Sequence, residues 1–145
     1  MAASEALTLR KEERICSRKL MDQLFNGDTA RSMSSFPLRV VFLSTERLPD
    51  QPPVSILISV PKRHFHHAVD RNRVKRQLRE AYRHHKHILF EELNDHPETA
   101  LLLSFIWMEG RHLDSNHVDS RMHLLLQRIA EHLHSKHSTL NSQHP

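Results

Sequence analysis

The stretch SVPKRHFHHAVDRNRVKRQLREAYR, Ser59–Arg83, decides the architecture, because a strand-like segment runs directly into a basic segment of helix length. At 3.6 residues per turn, an apolar stripe gathers on one side, formed by Val74, Leu78, Ala81, Tyr82 and His85. The opposite side carries Asn72, Lys75, Arg76, Arg79, Arg83 and Lys86, and Arg71 and Arg73 flank the two sides. This spacing predicts a helix that docks on its apolar stripe and turns its cations to solvent. Ala68 and Val69 do not fit the stripe, so the helix either bends there or begins later.

Three segments around this helix predict strands, because they are rich in β-branched and aromatic residues: 36–44, 54–60 and 100–107. The last is apolar at nearly every position, which indicates burial on both faces. Two further helices are predicted over 17–27 and 118–133, each with an apolar stripe. The order of elements predicts an α+β two-layer sandwich, with a small sheet of about four strands and three helices. We expect one domain over residues 1–145, with flexible segments at 1–16 and 135–145.

The positive charge is concentrated in one place. The chain has a formal net charge of +4, but Lys62–Lys86 alone holds nine basic and two acidic residues, and the remainder is acidic overall. A solvated helix face usually mixes the two signs, so this segment predicts a polyanion site. Arginine outnumbers lysine there, which suits bidentate phosphate contacts. A helix-turn-helix that binds DNA needs a partner helix just before the basic helix, but here a strand precedes it. This arrangement favours RNA as the ligand, so the predicted domain is an RNA-binding domain.

Composition excludes several other classes. Only two glycines occur, so no Gly-rich phosphate loop is present, and the lone Cys16 cannot form an internal disulfide or a thiolate zinc site. No apolar run approaches the roughly 20 residues of a membrane span, and no secretory signal is evident. We therefore expect a cytoplasmic protein without a membrane partner.

The motif resembles the signature of the bacterial ribonuclease P protein subunit. The family has a strand ending in Ser-Val-x-Lys-Lys, a short loop, an Ala-Val pair and Arg-Asn-Arg-φ-Lys-Arg-x-x-Arg. Here the corresponding residues are Ser59, Val60, Lys62, Arg63, Ala68, Val69, Arg71, Asn72, Arg73, Val74, Lys75, Arg76 and Arg79. The element order is also similar across roughly residues 17–134.

The resemblance implies a left-handed βαβ crossover around the basic helix, and a protein that assists a catalytic RNA in removing 5′ leaders from precursor tRNA. The RNA would hold the Mg²⁺ and perform the chemistry, so no catalytic residue and no metal are expected in the protein, which would be a monomer in a 1:1 complex. The expected RNA contacts are Lys62, Arg63, Arg71, Asn72, Arg73, Lys75, Arg76, Arg79 and Arg83. The expected lining of a cleft for the single-stranded leader is Met21, Phe25, Phe36, Arg39 and Phe42, with Met21 standing at a position that is aromatic in the family.

Three alternatives stay open. A non-catalytic module that binds ribosomal RNA or assists ribosome assembly would share the charge pattern, and only the signature argues against it. A protein-only nuclease would need convergent carboxylates or a histidine pair, which the sequence does not reveal. The 14 histidines invite a metal site, but their scattered spacing favours titratable charge beside phosphates.

Overall fold

The computed structural model describes residues 30–49 and 51–142, and their side chains up to Ser135. The strands are β1 (Arg31–Ser35), β2 (Leu38–Glu46), β3 (Val54–Ser59) and β4 (Thr99–Trp107). The helices are α1 (Ala68–His85), α2 (His87–Leu93) and α3 (Ser115–Ser142). The predicted helix over 17–27 lies outside the described residues. Among the described residues, no helix combines the length and apolarity that a membrane crossing requires.

The four strands form one mixed sheet in the order β1-β2-β4-β3. β1 and β2 form an antiparallel hairpin, β2 pairs antiparallel with β4, and β3 pairs parallel with β4. Parallel neighbours need a crossover connection, and here the crossover consists of α1 and α2. The predicted α+β architecture is confirmed, and the basic helix lies within the βαβ unit. The left-handed sense of that crossover stays a prediction.

The sheet buries one face against the helices. Alternate residues of the strands, such as Val40, Ile56 and Phe105, join one core cluster with the apolar sides of α1, α2 and α3. On the opposite face, Leu43 and Leu102 form a second, smaller cluster with Ala30, Val41 and Leu57. Both faces of β4 are therefore buried, as its continuous apolar sequence predicted.

Several element boundaries differ from the predictions. β1 and α2 were not predicted, because RSMSS lacks apolar alternation and HILFEEL is only two turns long. Phe36 and Pro37 form the turn between β1 and β2 and are not part of a strand. α1 begins at Ala68 with its first two residues exposed, and α3 continues beyond Leu133 to Ser142.

Candidate nucleic-acid interface

The basic helix α1 is held by the residues that its apolar stripe predicted. Val74, Leu78 and Tyr82 are fully buried, and Ala81 is 4% exposed. Because an α-helix turns 100° per residue, this docking directs the remaining positions away from the sheet. We call these the cationic face, and its members are Asn72, Arg73, Lys75, Arg76, Arg79 and Arg83.

Three cations of this face have no partner in the part of the chain that the structure describes. Within the described residues, no hydrogen bond or ion pair engages Arg73, Lys75 or Arg76, and both arginines are exposed. Lys62 and Arg63, on the turn before α1, are likewise exposed and unpaired there. Charged donors without a partner are available to a ligand at no cost in broken contacts, so these residues are the accessible part of the candidate interface.

Arg71 has a different environment from its neighbours. Its Nη1 atom donates hydrogen bonds to the backbone oxygens of Phe65 and His66, both at 2.9 Å. The side chain therefore ties the loop that carries Lys62 and Arg63 to the first turn of α1. The sequence predicted Arg71 only as an RNA contact. Its hydrogen bonds to loop carbonyls could not be predicted, because residue spacing does not show which backbone oxygens lie near a side chain.

A second contact set holds the loop between β4 and α3. His112 lies 3.1 Å from an Asp70 carboxylate oxygen, and its ring stacks on Phe65 with centroids 4.7 Å apart. The Asp70 carboxylate therefore has a structural role, because it holds this loop against the start of α1.

At the end of α1, Arg83 forms an ion pair with Glu80, with a second contact of 3.2 Å from Nε to Oε2. The hydrogen bond that Arg83 donates to the carboxylate lowers the pKa of Glu80, and the same contact raises the pKa of the Arg83 guanidinium. Any contact of Arg83 with RNA therefore has to compete with, or share the guanidinium with, the Glu80 carboxylate.

Lys86 is not part of the cationic face, although the helical period placed it there. α1 ends at His85, and Lys86 forms the junction with α2. Its side chain is 2% exposed, and its ammonium lies 5.5 Å from the ring centroid of Phe90. The prediction was wrong because it continued the helix through a junction.

The expected leader-cleft residues do not share one surface. Met21 and Phe25 lie outside the described residues. Phe36 is 55% exposed in the β1–β2 turn, and Arg39 is exposed on β2. Phe42 is 3% exposed and packs edge-on against His132 of α3, with ring centroids 5.5 Å apart. Since side chains alternate along a strand, Arg39 and Phe42 point to opposite faces, and Phe42 is a core residue.

Four polar side chains connect the end of α1 to α3. The imidazoles of His84 and His85 contact the two carboxylate oxygens of Asp119 at 3.2 and 2.8 Å, and His85 lies 3.2 Å from His123 through their Nδ1 atoms. Burial acts to raise the pKa of Asp119, but the hydrogen bonds from His85 and His84 outweigh it and lower the pKa below its ordinary value. In the described part of the chain, no three histidine, cysteine or acidic side chains are grouped to hold a metal ion. The absence of a protein-bound metal stays a prediction.

Comparison with known proteins agrees with the motif. The family model described as Ribonuclease P matches residues 9–129. A protein named ribonuclease P protein component from Porphyromonas gingivalis is 35% identical over 133 residues, covering 90% of this chain and 92% of its own length. The protein of the same name from Chlorobium phaeobacteroides is 32% identical over 117 residues, covering 77% and 79%.

Two solved structures share the fold. The RNase P protein from Thermotoga maritima superposes with a TM-score of 0.60 at 21% identity, covering 80% of this chain and 96% of that one. The Staphylococcus aureus RNase P protein gives a TM-score of 0.57 at 16% identity, covering 81% and 94%. With the signature on α1, the sequence match across most of the chain and the same fold, the conclusion is that this chain belongs to the ribonuclease P protein family.

Proposed function

We propose that this chain is the protein subunit of ribonuclease P and assists the RNA subunit in removing 5′ leaders from precursor tRNA in the bacterial cytoplasm. The observation that carries the proposal is the set of unpaired cations Arg73, Lys75 and Arg76 on a helix that is fixed to a sheet. The docked helix holds these guanidinium and ammonium groups in one row, each guanidinium can contact a phosphate through two hydrogen bonds, and a folded RNA presents closely spaced phosphates.

In this proposal the protein contributes binding and the RNA contributes chemistry. The cationic face, with Lys62 and Arg63, binds the RNA subunit as one protein monomer per RNA. Phe36 and Arg39 are the described candidates for contact with the single-stranded leader, since an exposed ring stacks on bases without demanding one sequence. Mg²⁺ is held mainly by the RNA, and neutralised phosphates near it lower the magnesium concentration that the complex needs.

Reconstitution tests the proposal directly. A precursor tRNA is incubated at low millimolar magnesium with this protein, with a competent bacterial ribonuclease P RNA, or with both. We expect cleavage at the tRNA 5′ end only in the mixture. Cleavage by the protein alone would place the chemistry in its own side chains. An inactive mixture would favour the RNA-binding module without a processing role.

A matched pair of variants assigns the effect to α1. Arg73→Ala removes an unpaired cation from the cationic face, whereas Arg31→Ala removes an exposed arginine from the edge strand β1. We expect processing to fall with Arg73→Ala and to be unchanged with Arg31→Ala. Equal losses in both variants would mean that total charge, and not the position of the cations, supports the reaction.

A further inference from the structure

A groove of about 620 Å³ lies beside the cationic face, between α1 and the loop that leads into α3. Arg73 and Arg76 line it from α1, and Leu113, Asp114 and Asn116 line it from the opposite side. The volume is within the range of sites that hold small molecules. One wall therefore belongs to the cationic face and the other does not.

The two walls are fixed relative to each other. The Nε2 atom of Gln77, on α1, donates to the backbone oxygen of Leu113 at 2.8 Å and contacts the Ser115 hydroxyl at 3.1 Å. The His112 contacts with Asp70 and Phe65 hold the same loop from its other side. The groove is thus preformed, and a ligand need not order the loop to bind there.

The groove contains a carboxylate at the N-terminus of α3, where the backbone oxygen of Asp114 accepts the first hydrogen bond of the helix from the Val118 N–H at 3.1 Å. Glu80 and Asp119, at its far end, are engaged by Arg83 and by the histidines of α1. Asp114 is exposed, and among the described residues no side chain or backbone N–H engages its carboxylate. An unpaired negative charge beside an RNA-binding face repels phosphates, so it weakens binding unless the RNA donates a hydrogen bond to it.

We propose that this groove binds a single unpaired guanosine nucleotide of the partner RNA. Its phosphate contacts Arg73 and Arg76, and its base donates N1–H and the 2-amino N–H to the two oxygens of Asp114. Guanine is the base whose pairing edge presents two adjacent donors, which matches the two oxygens of a carboxylate. Leu113 supplies an apolar contact for the ring, and Asn116 offers a further polar partner. Sequence-specific proteins commonly read RNA through such splayed-out bases.

The inference rests on the proposed function, because it assumes that the cationic face binds RNA. Two RNA hairpins that differ in one bulged nucleotide test it, one with guanosine and one with inosine, which lacks the 2-amino group. We expect the protein to bind the guanosine hairpin about tenfold more tightly. Asp114→Asn should abolish this preference. Asp95→Asn, which removes an exposed carboxylate outside the groove, should retain it.

The outcomes separate the two proposals. Equal, salt-sensitive binding of both hairpins by the wild-type protein would overturn the groove assignment and leave the RNA-binding function standing. Failure to bind either hairpin, together with an inactive reconstitution, would overturn both. If Asp114→Asn strengthens binding of both hairpins alike, the carboxylate only repels phosphate and the proposal fails.

A separate titration with free 5′-GMP identifies the source of the nucleotide. We expect binding at least a hundredfold weaker than that of the guanosine hairpin, because a free nucleotide lacks the neighbouring phosphates that the cationic face engages. Equal affinities would assign the groove to a free nucleotide and overturn the RNA assignment.

Discussion

At the scale of single residues, Arg71 and Arg76 carry the same side chain little more than one turn apart, but their surroundings give them different roles. Arg71 donates to two loop carbonyls, whereas Arg76 is exposed and unpaired within the described residues. A hydrogen bond from a charged group is worth about 1.5–3 kcal/mol when its partner is protected from water, and less at a half-exposed site. Both positions lie in the signature, but only Arg76 can contact RNA without losing a hydrogen bond to the described part of the protein.

This contrast predicts opposite phenotypes. We expect Arg76→Ala to weaken RNA binding and to leave the melting temperature within about a degree or two, because exposed substitutions change stability little. Arg71→Ala should lower the melting temperature by several degrees, since its loop loses both contacts. Thermal unfolding and RNA titration of the two variants check this. A melting temperature reduced equally by both would contradict the assignment of Arg76 as a surface ligand.

At the scale of the helix, docking and binding are assigned to separate sides of α1. Leu78 is fully buried against the sheet and α3, so Leu78→Ala leaves a cavity and should lower the free energy of unfolding by about 2–5 kcal/mol. Chemical denaturation measures this loss. RNA affinity at a temperature where the variant is folded should stay near the wild-type value, and a large loss there would mean that the two sides are coupled.

The cationic face also predicts the response to salt. Four to six phosphate contacts imply that the logarithm of the RNA association constant falls with the logarithm of salt concentration with a slope of about −3 to −5. Arg76→Ala should reduce the magnitude of that slope by about one contact, and Arg31→Ala should not change it. Titrations at several salt concentrations measure the slope, and a flat response would contradict phosphate binding by this face.

The elements that sequence reasoning identified are those with a strong period of their own. The apolar stripe of α1 from Val74 to Tyr82 and the apolar run of β4 specify their elements without reference to the rest of the chain. β1 is a strand because it pairs with β2 in an antiparallel hairpin, whereas its own serine-rich sequence does not favour a strand. The groove at Asp114 joins residues that are distant along the chain, so only the folded arrangement reveals it.

At the scale of the whole molecule, α1 and α3 are joined by the contacts of Asp119 with His84 and His85. Because the folded protein lowers the pKa of Asp119, this carboxylate stabilises the fold fully above its ordinary pKa, and the contribution is lost as the pH falls through the lowered value. We expect Asp119→Asn to lower the melting temperature at pH 5.5, with a smaller difference from wild type at pH 3.5. A difference that grows on acidification would contradict this linkage.

The strand order has a consequence for co-translational folding. β4 separates the β1–β2 hairpin from β3, so within the described sheet β3 has no strand to pair with until residues 99–107 have been made. Synthesis at about 5–20 residues per second leaves roughly one to four seconds between the end of α1 and the end of β4. During that interval the nascent chain already carries its polycationic segment but lacks the sheet that orients it. The polycationic segment is therefore synthesised before the strand that completes the sheet beneath it.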